Sequence, residues 1–477
     1  MSSTLYWHRH DLRLGDNPAL SFAVEQGAVQ PVFILDTTND NPWPYGAASK
    51  WWLHHSLESL QESYKKAGVA LLLLAGDPVK ILPKLLRDTK ATCVVWNRRY
   101  DAYGIAQDKF LKESLPAEVK SFNGNLLLEP WQIKTKTGEN YKVFTPFWRA
   151  LSAQSISIDP LAGTPHQIKP FSPPPEGLNL NDLDLRPTKP DWAKSFEPHW
   201  TIGETEAQQK LDKFLDNTVI AYKDGRDFPA QDDTSRLSPH LAFGEISPRQ
   251  IWYATQAQLS AHKKNAAYTT NADHFLREVA WREFAYHLLY QYPDTPTEPL
   301  YPKFKAMKWK KSKKHWDSWT KGQTGYPIVD AGMRQLWQTG YMHNRVRMIV
   351  ASFLIKDLMI AWQDGATWFW DTLVDADLAN NTLGWQWTAG CGADASPYYR
   401  IFNPGLQSAK FDKNGDYIRT YVPELAKLPA KYIHEPWKAP PLILKEAGVI
   451  LGKDYPEPII DHATARDYAL QAFKELV

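Results

Sequence analysis

Four short apolar runs, Thr4–His8, Val29–Leu35, Val69–Leu74 and Cys93–Asn97, are spaced through residues 1–130, and that spacing leaves few folds open. Helical patterns separate them. In Ala48–Lys65, for example, Trp51, Leu53, Leu57, Leu60 and Tyr64 recur at helical intervals. Strand-length apolar runs alternating with amphipathic helices predict a parallel, doubly wound sheet covered on both faces. No Gly-x-Gly-x-x-Gly follows the first run, so a ligand held here is not held by the usual dinucleotide turn.

Between Pro160 and Trp200 the pattern stops. Nine prolines in that stretch predict an irregular connector running over the surface. Beyond Glu204 the chain reads as helical. His274–Tyr290 sets Phe275, Val279, Phe284, Leu288 and Leu289 on one face, with Glu278, Trp281 and Arg282 together on another. Gly332–Ile360 and Ala366–Leu378 continue the helical pattern. The expected organisation is an α/β domain over 1–130, a connector over 131–200 and an all-α domain over 201–477.

A length of 477 residues suits more than one core, and 43% hydrophobic with 23% charged residues excludes a disordered chain. No stretch approaches the ~20 apolar residues of a membrane span. The chain runs from Met1 straight into Leu5-Tyr6-Trp7 with no signal-peptide pattern, so a cytoplasmic location is expected. Cys93 and Cys391 make no metal-ligand spacing and exclude a cysteine-held iron–sulfur cluster; no metal site is expected. The net charge is only +2, yet Lys303, Lys305, Lys308, Lys310, Lys311, Lys313 and Lys314 crowd around Trp309. Arg345, Arg347 and Arg400 lie among Trp, Tyr and Asn, a mixture that suits a phosphate backbone with bases nearby.

The densest chemistry lies between Gly322 and Pro404. Trp309 just before it, and Trp362 and Trp385 within it, are spaced with Asp375, Asp377, Asn380, Asn381 and the run Gly384-Trp385-Gln386-Trp387. A single Trp usually fills a core. A spaced set of these easily oxidised rings can relay electrons, and the carboxylates and amides suit the edges of a large redox cofactor. Together they point to a flavoprotein that moves electrons.

Several ordered motifs resemble the DNA photolyase/cryptochrome flavoproteins. Trp7-His8-Arg9-His10-Asp11-Leu12-Arg13-Leu14-Gly15-Asp16-Asn17 is similar to that family's opening motif, with His8 where Phe is usual. Thr234-Ser235-Arg236-Leu237-Ser238-Pro239 looks like its FAD phosphate loop. Gly325–Ala331, Met342–Met348, Gly384–Trp387 and Arg400-Ile401-Phe402-Asn403-Pro404 complete the set. The resemblance spans essentially the whole chain and lies nearest the class I and class III bacterial cyclobutane-dimer photolyases.

The resemblance implies roles residue by residue. FAD is expected against Tyr222, Thr234, Ser235, Arg236, Leu237, Ser238, Arg282, Arg347, Asp375, Asp377 and Asn381, with Arg347 pairing to Asp375. Small hydroxyls and backbone donors opening a helix at Ser238-Pro239 suit a pyrophosphate. Asn381, four residues before Trp385, falls at the position facing flavin N5; its amide favours repair over signalling. Trp385, Trp362 and Trp309 match the electron-transfer chain from flavin to surface. Glu278, Asn344 and Met348 are expected at the dimer, with Trp281 and Trp387 lining its pocket. Met348 stands where (6-4) photolyases carry a second His, which favours a cyclobutane-dimer substrate. Arg226, Arg345 and Arg400 are expected on phosphates beside a flipped lesion in UV-damaged DNA.

The implied activity is light-dependent repair of cyclobutane pyrimidine dimers by electron transfer from reduced FAD. A cryptochrome photoreceptor and a (6-4) photolyase are the alternatives, and the short stretch after the helical region argues against the former. An antenna chromophore is expected in the α/β domain, methenyltetrahydrofolate ahead of 8-hydroxydeazaflavin, with Trp96–Tyr100 at its rim. A monomer with no obligate protein partner is expected.

Overall fold

A computed structural model describes residues 2–154, 157–395 and 399–476. The apolar runs form five parallel strands: β1 (Ser2–His8), β2 (Gly27–Asp36), β3 (Leu72–Gly76), β4 (Cys93–Asn97) and β5 (Glu118–Phe122). Their order is β3-β2-β1-β4-β5, so the order reverses between β1 and β4. Four helices alternate with them: α1 (Pro18–Gln26), α2 (Ala47–Lys66), α3 (Pro78–Thr89) and α4 (Ala102–Ser114). Leu5, Trp7, Val32, Ile34, Val94 and Trp96 from the sheet pack with Leu82, Leu85, Leu86 and Leu111 from α3 and α4. β5 escaped the sequence reading because Glu118, Lys120 and Ser121 interrupt its apolar pattern; it is an edge strand, where polar side chains are tolerated.

Compactness divides the chain into one unit of residues 1–220, 235–293 and 374–379 and another of 221–234, 294–373 and 380–477. Among the described residues, the regular elements of the second unit are helices, beside one isolated bridge between Leu451 and Tyr455. Much of the first beyond residue 200 is also helical, including the long helix Ala266–Gln291.

The proline-rich stretch is mostly exposed, but it is anchored. It holds two short 3-10 helices, Leu180–Leu183 and Trp192–His199, and is bonded to the sheet domain. Ile168 N–H donates to the Ala67 carbonyl, Val29 N–H to that of Lys169, and Leu178 N–H to that of Leu73. Ile168, Phe171, Leu183, Phe196 and Trp200 are buried. Prolines lack the donor for a long helix, yet the residues between them can still bond sideways to the sheet domain. The Gly332–Ile360 pattern is likewise broken: Pro327–Thr339 ends at Gly340 (φ +67°), and Asn344–Ser352 runs into a π-turn, Phe353–Asp357. Ala366–Leu378 is also cut, into Trp362–Thr372 and Leu378–Ala389.

The opening motif is a buried keystone. His8 Nε2 meets the Tyr64 hydroxyl at 2.6 Å and Nδ1 meets the Asp11 carbonyl at 3.0 Å. Burial by itself would raise Asp11, but hydrogen bonds from His8, the Arg9 N–H and Asn97 outweigh it and hold the carboxyl well below its usual range. Arg13, fully buried, donates to the carbonyls of Gly15, Asp16, Gly124 and Gly244. Gly244 (φ +68°) must be glycine, since a Cβ would come within 2.1 Å of the His10 carbonyl oxygen.

Candidate functional site

In the first unit, the expected phosphate loop leads into the short helix Ser238–Phe243. Arg236 sits at φ +49°, a left-handed conformation that a side-chain-bearing residue adopts at a cost of about 1 kcal/mol or more. Its guanidinium lies 4.7 Å from the Trp200 ring centroid. Leu237 is buried, and the Ser238 hydroxyl donates to Asp375 at 2.7 Å. Asp377 accepts the Tyr286 hydroxyl. This strained turn, with hydroxyls and two carboxylates at hand, fits a dinucleotide cofactor better than a plain helix cap, which needs one such residue.

The Ala266–Gln291 helix supplies the substrate candidates. Trp281 is half-buried and lies flat on Phe144, with centroids 3.8 Å apart and planes 8° apart. Glu278, half-buried, is three residues before it, so the two share a face. Arg282, four residues after Glu278, shares that side of the helix. It is buried, donating to the Asn125 carbonyl at 2.8 Å with its guanidinium 4.7 Å over the Tyr286 ring. Beside it Glu283 accepts the Leu127 N–H at 2.7 Å; burial pushes its carboxyl up to about 7. Burial likewise lowers His10 to about 4, reinforced by Arg99.

A polar cleft of about 300 Å³ lies at the carboxyl ends of β4 and β5, lined by Arg98, Ser121, Asn123, Glu129, Gln132 and Asp159 among others. Arg98 pairs with Glu129 at 2.5 Å, so the expected rim residue does border a cavity. Ligands of doubly wound sheets settle at this end of the strands.

In the second unit, Asn381 donates from Nδ2 to the Ala366 carbonyl at 3.0 Å. That bond fixes the amide and leaves its oxygen and one N–H for another partner. Trp385 is buried, edge-on to Phe369 at 5.0 Å; a Cβ on Gly365 would reach within 2.1 Å of its ring, so only glycine admits it. Trp362 is buried, while Trp309 is half-buried between the exposed Lys308 and Lys310. A second run of rings was not anticipated. Trp385, Trp319, Trp316, Trp368 and Trp337 follow one another at centroid separations of 6.4, 5.6, 6.0 and 6.3 Å, ending at the exposed Trp337. Its members come from four helices, so no sequence spacing marks them.

Asn344 is exposed at the start of the Asn344–Ser352 helix, which His343 caps by accepting the Arg345 N–H. Burial lowers His343 to about 4. Arg345 is not an unengaged phosphate contact: it pairs with Asp227 at 2.7 Å, lies 4.4 Å over Phe411 and reaches Met348 Sδ at 3.7 Å. Arg347 donates to the Met342 carbonyl. Arg226 stacks 5.4 Å over Tyr222, a buried ring. Thr234 is half-buried. Trp387 donates to the Asp394 carbonyl, and Arg400 is exposed. Sequence reading missed Phe144, Asp227 and Tyr286, which act only through distant partners.

Comparison with known proteins bears on this arrangement. Residues 4–168 match the family model described as DNA photolyase, and residues 275–475 match that of the FAD binding domain of DNA photolyase. The chain is 53% identical, over 98% of its length and 97% of the relative's, to deoxyribodipyrimidine photo-lyase of Agrobacterium fabrum. Cryptochrome-2 of Arabidopsis thaliana is 37% identical over 98% of this chain and 78% of that one. The crystal structure of a bacterial class III photolyase from Agrobacterium tumefaciens superposes with a TM-score of 0.95 at 52% identity, covering 100% of this chain and 98% of that one.

Proposed function

The chain belongs to the DNA photolyase family and is a light-dependent lyase that splits pyrimidine dimers in DNA; from that premise we propose how its residues take part. When bound, FAD supplies the photochemical electron transfer to and from the dimer. The residues proposed to hold it are Tyr222, Thr234, Ser235, Arg236, Leu237, Ser238, Arg282, Arg347, Asp375, Asp377 and Asn381. Asn381, its amide anchored on Ala366, presents a neutral donor and acceptor at every working pH.

The observation that carries the substrate reading is Trp281 on Phe144. One face of the indole is covered, so a flat base can stack only on the other. Glu278 on the same helix face hydrogen-bonds the dimer, while Asn344, Met348 and Trp387 border it. Arg226, Arg345 and Arg400 neutralise phosphates, which makes binding strongly salt-dependent. Trp385, Trp362 and Trp309 reload the resting enzyme with electrons and take no part in ring splitting.

We propose residues 1–130 as the antenna domain, 131–200 as the connector and 201–477 as the flavin domain. The cleft beside Arg98 supports an antenna chromophore near the Trp96–Tyr100 rim, methenyltetrahydrofolate before 8-hydroxydeazaflavin. Among the described residues no helix is long and apolar enough to cross a membrane. We further propose that the protein works as a cytoplasmic monomer.

The test is anaerobic illumination of the reduced protein with an oligonucleotide carrying one thymine cyclobutane dimer. Recovery of base absorbance, with a (6-4) lesion left unchanged, is expected. Photoreduction without repair of either lesion would instead identify a photoreceptor.

A further inference from the structure

Lys356 lies in the π-turn Phe353–Asp357 and is 3% exposed, an unusual place for an ammonium group. Its Nζ donates to the backbone carbonyl of Arg400 and lies 4.5 Å from the centroid of the Tyr399 ring. Tyr399 in turn lies flat on Phe473 of the helix His462–Lys474, at 4.6 Å and 8°. The neighbouring Asp357 pairs with His462 of that helix at 2.5 Å. The Phe402 N–H donates to the hydroxyl of Ser352, just before the turn. Lys356, Ser352, Trp387, Arg400 and Phe402 border one small cavity.

We propose that Lys356 is a positioning residue for damaged DNA: its ammonium holds the 399–402 segment so that the exposed Arg400 guanidinium faces a backbone phosphate. The proposal rests on the reading of Arg400 as a phosphate contact. Burial lowers Lys356 to about 7, with Arg400 adding to the shift and Asp357 and Cys391 opposing it. Facing it are Asp357 on its own turn, Tyr399 and Arg400 on the held segment, Cys391 after the Leu378–Ala389 helix, and His462 on the C-terminal helix. The charged amine makes the stronger bond to a carbonyl and to a ring face, so the hold weakens as pH rises through neutrality.

Affinity for an oligonucleotide carrying one thymine cyclobutane dimer is measured at fixed salt between about pH 6 and 8.5, with flavin absorbance as a check on folding. Wild type should lose about tenfold in affinity across that range, the worth of one charge-assisted contact. Lys356→Arg, charged throughout, should bind tightly with little pH dependence, and Lys356→Met weakly with little pH dependence. A flat wild-type profile, or a Lys356→Met variant that binds like wild type, overturns the proposal. If Lys356→Met does not fold, the wild-type and Lys356→Arg profiles decide alone. Arg400→Ala separates the two readings. If it binds normally, the phosphate assignment falls and the proposal with it; if it binds weakly while both Lys356 variants match wild type, Lys356 alone is wrong.

Discussion

Phe144 and Trp281 lie face to face, 3.8 Å between centroids and 8° between planes, although 137 residues separate them in the chain. The pair turns Trp281 into a one-sided platform. Phe144→Leu keeps most of the buried volume but removes the stack, and should weaken binding of dimer-containing DNA severalfold, by roughly 1 kcal/mol. Glu278→Ala, on the same platform, should lower the quantum yield of repair more than binding. Equal losses in yield and affinity would remove Glu278 from the reacting centre.

The two runs of tryptophan that share Trp385 can be separated by photoreduction kinetics. Trp309→Phe should slow photoreduction and spare repair by pre-reduced protein. Residual photoreduction should vanish on adding Trp319→Phe, because Trp319 is the next ring toward the exposed Trp337. Unchanged kinetics in the double variant would leave both runs without a redox role.

Arg345 is held by Asp227 at 2.7 Å, with both groups partly exposed, so the pair itself contributes little to stability. Asp227→Asn should release the guanidinium and tighten DNA binding about two- to fivefold at low salt. Arg345→Ala should weaken binding to all sequences and flatten the salt slope by about one phosphate. A slope that stays the same would take Arg345 out of the DNA contacts.

Glu283, raised to about 7 by burial, makes a signed contribution to stability. Its folded form keeps a proton that the unfolded chain releases near pH 4.5, so this contribution is lost as pH rises from about 4.5 to 7. His10 and His343, lowered to about 4, act oppositely below about pH 6.5, because the unfolded chain takes up protons they refuse. The clean measurement is therefore a difference. Glu283→Gln, which can still accept the Leu127 N–H, should gain in melting temperature relative to wild type as pH rises toward 7. A constant difference across that range would contradict the assignment.

His8, in the opening motif, bonds the buried Tyr64 hydroxyl and the Asp11 carbonyl. His8→Phe should cost about 1–3 kcal/mol in denaturant unfolding by stranding the Tyr64 hydroxyl, with photochemistry little changed. A neutral substitution would mean the tyrosine finds another partner.

The chain alone determined the parallel sheet, the helical remainder and the ordered motifs, because hydrophobic period and motif spacing are local properties that survive without a fold. β4 falls where its apolar run predicts it, at Cys93–Asn97, while the polar edge strand β5 carried no such signal. Spacing on one helix groups Glu278, Trp281 and Arg282, but only the fold shows that Arg282 is buried against the Asn125 carbonyl, 157 residues away. The proline count argued for a surface connector, and only the fold revealed its bonds to the sheet domain. Arg345's partner, the ring beneath Trp281, the tryptophans leading to Trp337 and the cage around Lys356 were all decided by tertiary structure. A side chain's charge state, stacking and free hydrogen-bond capacity depend on groups brought close in space, and linear spacing holds no record of them.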